Sequence, residues 1–335
     1  MRNRIDPFTV ILLGAIVVAA FAPARGGFAD VLAWLGEIAI ALLFFLHGAA
    51  LSRASVREGA THWRLHLLIL CITFVCFPLV VLPISALAPA WMPPALALGF
   101  LYLGALPSAV SSSIAFTAMA GGNVPAAICS AAASNVFGMM ATPFVFMLLA
   151  QSSGGQTLAV GHALQEIILQ LLVPFAAGQL LRPWLANLID RHKHWTGRYD
   201  QIVILLIVYT AFSQFVASGF WRQLPASAIG FAVGLCALIL AIMIAFSMFV
   251  SRRLGFSLGD EAAVVFCGSK KSLASGLPMA NVLFAGNPAL GMIILPIMVY
   301  NQIQIIVGAM VARRYERTLT ARTDDDAAAL KSPSA

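Results

Sequence analysis

The chain has 335 residues, 61% of them hydrophobic and only 10% charged, with a mean hydropathy of +0.92. A soluble domain is about a quarter charged, so the composition excludes one and predicts a polytopic protein of the lipid bilayer. A net charge of +7 would suit nucleic acid, but the placement of the basic residues explains it without such a partner.

A span needs about 20 apolar residues. Ten such stretches follow one another, near residues 7–23, 29–51, 65–89, 94–119, 124–150, 159–182, 200–219, 225–251, 261–284 and 288–312. The opening MRNRIDPF and its apolar run resemble a signal peptide, yet they lead straight into further spans, so an uncleaved first span is expected. With the N-terminus cytoplasmic, sixteen of the twenty Lys and Arg fall on the inner side. Only Arg25 and Arg222 fall outside, and Lys270 and Lys271 lie within a span. That is the positive-inside pattern; it places both termini in the cytoplasm of a bacterial inner-membrane protein. The tail 318–335, with Asp324, Asp325 and Asp326, is expected to be disordered. The five cysteines lie in apolar segments without a CxxC, which points away from disulfides and zinc; all but Cys267 read as small core residues.

Two spans are broken by their own residues. The fourth reads GALPSAVSSSIAFTAMAGGN from Gly104, and the ninth reads GSKKSLASGLPMANVLFAGN from Gly268. An offset of 164 brings Gly122-Asn123 onto Gly286-Asn287, Gly104 onto Gly268, Ser108 onto Ser272 and Ser111 onto Ser275. Each is the fourth of five spans, and five is odd, so the second set enters the membrane upside down. The expected fold is all-α, with two inverted five-helix repeats (1–155 and 156–317). Interrupted helices at matching positions of such repeats mark a transporter's binding site.

In the fourth span Pro107 removes a donor, and Ser108, Ser111, Ser112, Ser113 and Thr117 offer hydroxyls. These hydroxyls either bond back to their own helix or help to form an ion or substrate site. In the fifth span Ser130, Ser134, Asn135 and Gly138 make a small polar stripe, which serves as helix–helix glue or as part of the same site. The tenth carries the polar run Tyr300, Asn301, Gln302 and Gln304, with one face expected to line the cavity. The sharpest feature is Lys270 and Lys271, flanked by Ser269 and Ser272. Snorkelling would take them toward Asp260 and Glu261, but ten residues are about 15 Å of helix. A charge at that depth costs about 3 kcal/mol on the gentlest scale. A substrate anion can compensate it, or one lysine can lose a proton during the cycle. The carboxylates within spans, Glu37 and Glu166, lie at another depth, and His47 and His162 sit near span ends. HExxH and GxSxG are absent, so no enzyme is expected.

The stretches AIALLFFLHGAALS, LGALPSAVSSSIAFTAMAGGN, LVPFAAGQLLRP, GSKKSLASGLP and PIMVYNQIQIIVGAMVA resemble the bile acid:sodium symporter superfamily, specifically its YfeH-like branch. The resemblance covers Asp6 to about Arg314. It implies ten spans in panel and core domains, with discontinuous helices four and nine crossing in the core. It also implies sodium ligands in spans four, five and nine. Carried over, Ser112, Ser113 and Asn135 match the first two, with Ser134 beside them. In the ninth span Phe266 or Cys267 stands where the family has its glutamate, and Lys270 and Lys271 replace a glutamine–asparagine pair. Like-charge repulsion then opposes sodium.

The sequence therefore predicts a secondary transporter of a small organic anion, coupled to sodium, to protons or to neither, with no cofactor. A membrane sensor that binds a ligand without moving it, or a channel, is the alternative.

Overall fold

Inside lipid a helix satisfies its own backbone, and among the described residues every regular element is helical. The computed structural model describes residues 7–50, 62–83, 92–152, 168–191, 193–217, 219 and 226–331. Helix α1 spans Pro7–Phe21 and α2 spans Gly27–Ala50. Helix α3 begins as Trp63–Cys71, widens into a π turn at Ile72–Cys76 and continues to residue 83. Then come α4 (Pro94–Ala105), α5 (Val110–Met119) and α6 (Val124–Ser152). Helix α7 opens with a π turn at Ile168–Leu172 and runs on as Val173–Arg191, followed by α8 (Lys193–Ala217) and α9 (Ala226–Arg253). Helices α10 (Leu258–Ser269), α11 (Leu273–Leu283) and α12 (Leu290–Lys331) complete the chain.

Among the described residues seven helices are long and apolar enough to cross a bilayer, and the α4–α5 pair, bent by 60°, makes an eighth. Of the ten expected spans, two miss that test for separate reasons. Helix α1 has 15 residues, about 22 Å of rise against a ~30 Å hydrocarbon core. The α10–α11 pair carries Asp260, Glu261, Lys270 and Lys271. The tail differs from expectation: α12 continues to Lys331. An already nucleated helix adds residues at little cost, and the run DDDAAALK supplies helix-favouring alanines. Glu166 and His162 lie outside the described residues.

Apolar side chains cover the outside of the bundle, with Phe21, Leu180 and Trp184 between 75% and 87% exposed, as a lipid-facing surface requires. Cys71 shares that surface and Cys76 is half-buried, unlike the core cysteines Cys129, Cys236 and Cys267. Inside, small residues let backbones touch. Where α2 crosses α7, a Cβ on Gly48 would strike the Phe175 carbonyl, and one on Gly178 would strike the Phe45 carbonyl. Tyr102, Phe146 and Phe284 pack edge-to-face at 5.2–5.8 Å and tie α4 and α6 to the end of α11.

One end of α10 is anchored by charge. Buried Glu261 accepts from Arg252 Nε at 3.0 and 3.1 Å, from Arg252 Nη2 at 3.0 Å and from Tyr315 OH at 2.6 Å. Beside it, Asn123 Nδ2 donates to Asp260 at 2.7 Å, and the Asn123 N–H donates to the Gly259 carbonyl at 2.9 Å. The turn after α5 is thereby fixed to the start of α10.

Candidate functional site at the two helix breaks

The two breaks occur at the same offset as the sequence match: α4 ends at Ala105 and α10 at Ser269, 164 residues later. They also meet in space. The Ser272 N–H donates to the Pro107 carbonyl at 2.9 Å, joining one interruption to the other. Each half-helix begins or ends with backbone groups that the helix cannot satisfy, and the junction is built to satisfy them.

Lys271 does most of this. Its ammonium has three protons and donates to three carbonyls: Leu106 at 2.7 Å, Gly104 at 2.9 Å and Thr73 at 3.0 Å. Gly104 and Leu106 lie at the C-terminus of α4, where the helix dipole is negative and a cation is favoured. Thr73 lies in the π turn of α3, a feature common at functional sites. The Phe77 ring covers the ammonium at 4.0 Å. For Lys271 the compensation comes from the protein's own backbone. Snorkelling is excluded, since Lys270 and Lys271 are each 1% exposed.

Lys270 differs completely. Its Nζ sits 3.5 Å above the Phe116 ring centroid and 5.6 Å from that of Phe266, and it has no hydrogen-bond partner. The absence of a side chain at Gly308 makes room for it, since a Cβ there would lie 2.9 Å from Nζ. Two adjacent lysines thus carry one saturated and one unsatisfied ammonium.

The tenth predicted span meets the break through Tyr300 and Gln304, one turn apart. Tyr300 OH donates to the Ser269 carbonyl at 2.6 Å. Gln304 pairs with the Lys271 peptide on both sides: Oε1 accepts from the N–H at 2.9 Å and Nε2 donates to the carbonyl at 3.0 Å. Asn301 reaches the junction only through Gln304 Nε2, at 3.0 Å, and Gln302 is half-buried on another face. The i, i+4 spacing of Tyr300 and Gln304 was the readable signal for this face.

Among the predicted residues, Asn135 and Ser134 are brought to the crossing. Ser134 Oγ accepts from the Ser108 N–H at 3.1 Å, while Asn135 Nδ2 donates to the Ser108 carbonyl at 2.9 Å. Asn135 Oδ1 accepts from Ser275 Oγ at 2.5 Å, and Ser272 caps α11. Ser113 Oγ donates to the Phe266 carbonyl at 2.8 Å, linking α5 to α10. Thr117 and Ser269 only bond back, to Ser113 at 2.8 Å and Val265 at 2.6 Å. Ser111 lies exposed and Ser112 half-buried, outside this network. Glu37 is exposed on α2 and His47 contacts Asp200 at 3.4 Å, both away from the junction. Thr73 and Phe116 carried no sequence signal, because nothing in the run around Ile72–Cys76 announces a π turn.

A monovalent cation at this junction would compete with Lys271 Nζ for the same three carbonyls. Ser113 Oγ and Asn135 Nδ2 each donate to a backbone carbonyl, of Phe266 and of Ser108, and Asn135 Oδ1 accepts from Ser275 Oγ.

Residues 6–317 match the SBF-like CPA transporter family. The chain is 47% identical over 315 residues to YfeH of Escherichia coli (strain K12), named as a candidate symporter, covering 93% of each chain. It is 28% identical over 326 residues to sodium/bile acid cotransporter 7 of Rattus norvegicus, covering 96% of this chain and 95% of that one. It is 29% identical over 318 residues to the protein of that name in Xenopus tropicalis, covering 92% and 91%. This is a multi-pass membrane protein, and it belongs to the SBF-like CPA transporter family.

Proposed function

We propose that the protein is a secondary transporter of a small organic anion, working by alternating access around the junction of the two broken helices. In this reading its ten spans form two inverted five-helix repeats in a bacterial inner membrane, with both termini cytoplasmic. Lys271 provides the positive charge that a bound sodium ion would bring, and transport proceeds without a sodium requirement. The single observation behind this is the ammonium held by three carbonyls, two at the end of α4 and one in the π turn of α3. A cation built into the chain serves the same electrostatic end as an ion taken from solution. Lys270, without a hydrogen-bond partner, remains the positive group available to a substrate anion or to a coupling proton.

Radiolabelled taurocholate, succinate and taurine, offered to proteoliposomes in sodium and in potassium, test the reading. Saturable uptake of at least one, equal in the two salts and lost in Lys270→Gln, is expected. Uptake only under an inward sodium gradient contradicts it, as does non-saturating flux, which a channel would give.

A further inference from the structure

A cavity lies away from the helix breaks. The turn after α1, with α2, α7, α8 and α11, encloses about 370 Å³ at the end of the bundle that carries Arg25. Its wall holds one cation, Arg25, and one carboxylate, Glu37, with the amides of Gln170, Gln214 and Asn281. Among the described residues no ion pair joins Arg25 to Glu37, and neither is hydrogen-bonded to another side chain.

Ser213 on α8 lines the same space. It is 1% exposed and its hydroxyl has no partner. A helical serine ordinarily bonds back to the carbonyl four residues earlier, as Ser247 and Ser269 do here. A buried hydroxyl left free is costly, and this one lies behind the cavity wall, where it adds to the polar surroundings without reaching the open space. Gln170 lies in the π turn Ile168–Leu172. Asn281 lies on α11, nine residues beyond Ser272, so about 14 Å of helix links this cavity to the lysine junction.

We propose that the cavity binds a zwitterionic organic acid, its acid group on Arg25 and its ammonium on Glu37. The spacing favours an extended molecule. Glu37 lies ten residues into α2 from Gly27, about 15 Å of rise, while Arg25 sits in the turn before it. Even with both side chains reaching inward, the two charges of the ligand must stand several bonds apart, as in an ω-amino acid. At about 370 Å³ the cavity lies at the small end of the ~300–1,000 Å³ range of small-molecule sites. The inference rests on the transporter reading only in making this site the waiting position before the junction.

Calorimetric titration of 6-aminohexanoate into the purified full-length chain in detergent tests it. Glycine, hexanoate and hexylamine serve as comparisons. The expected result is saturable binding of 6-aminohexanoate about tenfold or more tighter than each of the three, the effect of one added charge-assisted pair. Arg25→Gln and Glu37→Gln each remove that advantage. Arg25→Gln leaves hexylamine binding unchanged, and Glu37→Gln leaves hexanoate binding unchanged. Both side chains are exposed, so both variants fold, which a thermal melt checks. No saturable binding to folded protein overturns the proposal, as does binding that both charge substitutions leave unchanged. Binding is read without flux, so its failure leaves the transporter reading standing. Binding without flux of any anion counts against that reading alone.

Discussion

Replacing Lys271 by Met is expected to destabilise the detergent-solubilised protein by about 3 kcal/mol or more, while the same change at Lys270 leaves stability unchanged or raises it. The two side chains are adjacent, equally buried and chemically identical, so burial cannot separate them. Their partners do. Lys271→Met orphans the carbonyls of Thr73, Gly104 and Leu106, each worth ~1–3 kcal/mol when left buried and unpaired. Relief of the ammonium's desolvation returns part of this, but the acceptors cannot follow the charge out of the core. Lys270→Met breaks no hydrogen bond. It gives up a cation–π contact of ~0.5–2 kcal/mol and removes an uncompensated charge, which offsets it. Chemical denaturation of the two variants beside the parent measures the difference. Equal losses would contradict the division of roles between the lysines.

Gln304→Leu is expected to be nearly as damaging, at roughly 2–4 kcal/mol, because it strands both the N–H and the carbonyl of the Lys271 peptide. The peptide sits at the break, where no helix can satisfy those groups, and Gln304 acts as a substitute backbone. Gln304→Glu keeps the acceptor for the N–H but loses the donor to the carbonyl, so its loss should fall between leucine and parent. A leucine variant as stable as the parent, by thermal unfolding in the same detergent, would show that water satisfies the break instead.

Much of this architecture was legible in the sequence. Apolar runs near the length of a bilayer gave the helices, and Pro107 with the Gly268–Ser275 run located the two breaks. The 164-residue offset placed them in register before any contact was known. The bilayer imposes these signals strongly, because a polar or helix-breaking residue at depth must have a reason. Partners were harder to read. Two neighbouring lysines look alike in a sequence, and their separation depends on carbonyls from α3 and α4, which no side chain advertises. The polar run at Tyr300 is visible in the sequence, but which of its faces turns inward is not; spacing by four selects Tyr300 and Gln304. Ser111 enters the site reading through the repeat match and Ser112 through the family resemblance; in the fold Ser111 is exposed and Ser112 half-buried, outside the hydrogen bonds of the junction. The tail from Thr318 reads as too polar to order, yet α12 runs on into it as far as Lys331.

The central claim is that the Lys271 ammonium occupies a cation position formed by three carbonyls. Thermal unfolding of Lys271→Ala in sodium or ammonium chloride, against N-methylglucamine chloride at equal ionic strength, tests it directly. The truncation leaves the carbonyls facing a space able to hold a small cation, so sodium or ammonium is expected to stabilise the variant saturably by several degrees while leaving the parent unmoved. A parent protein stabilised by sodium, with a Lys271→Ala variant indifferent to both ions, would contradict the account.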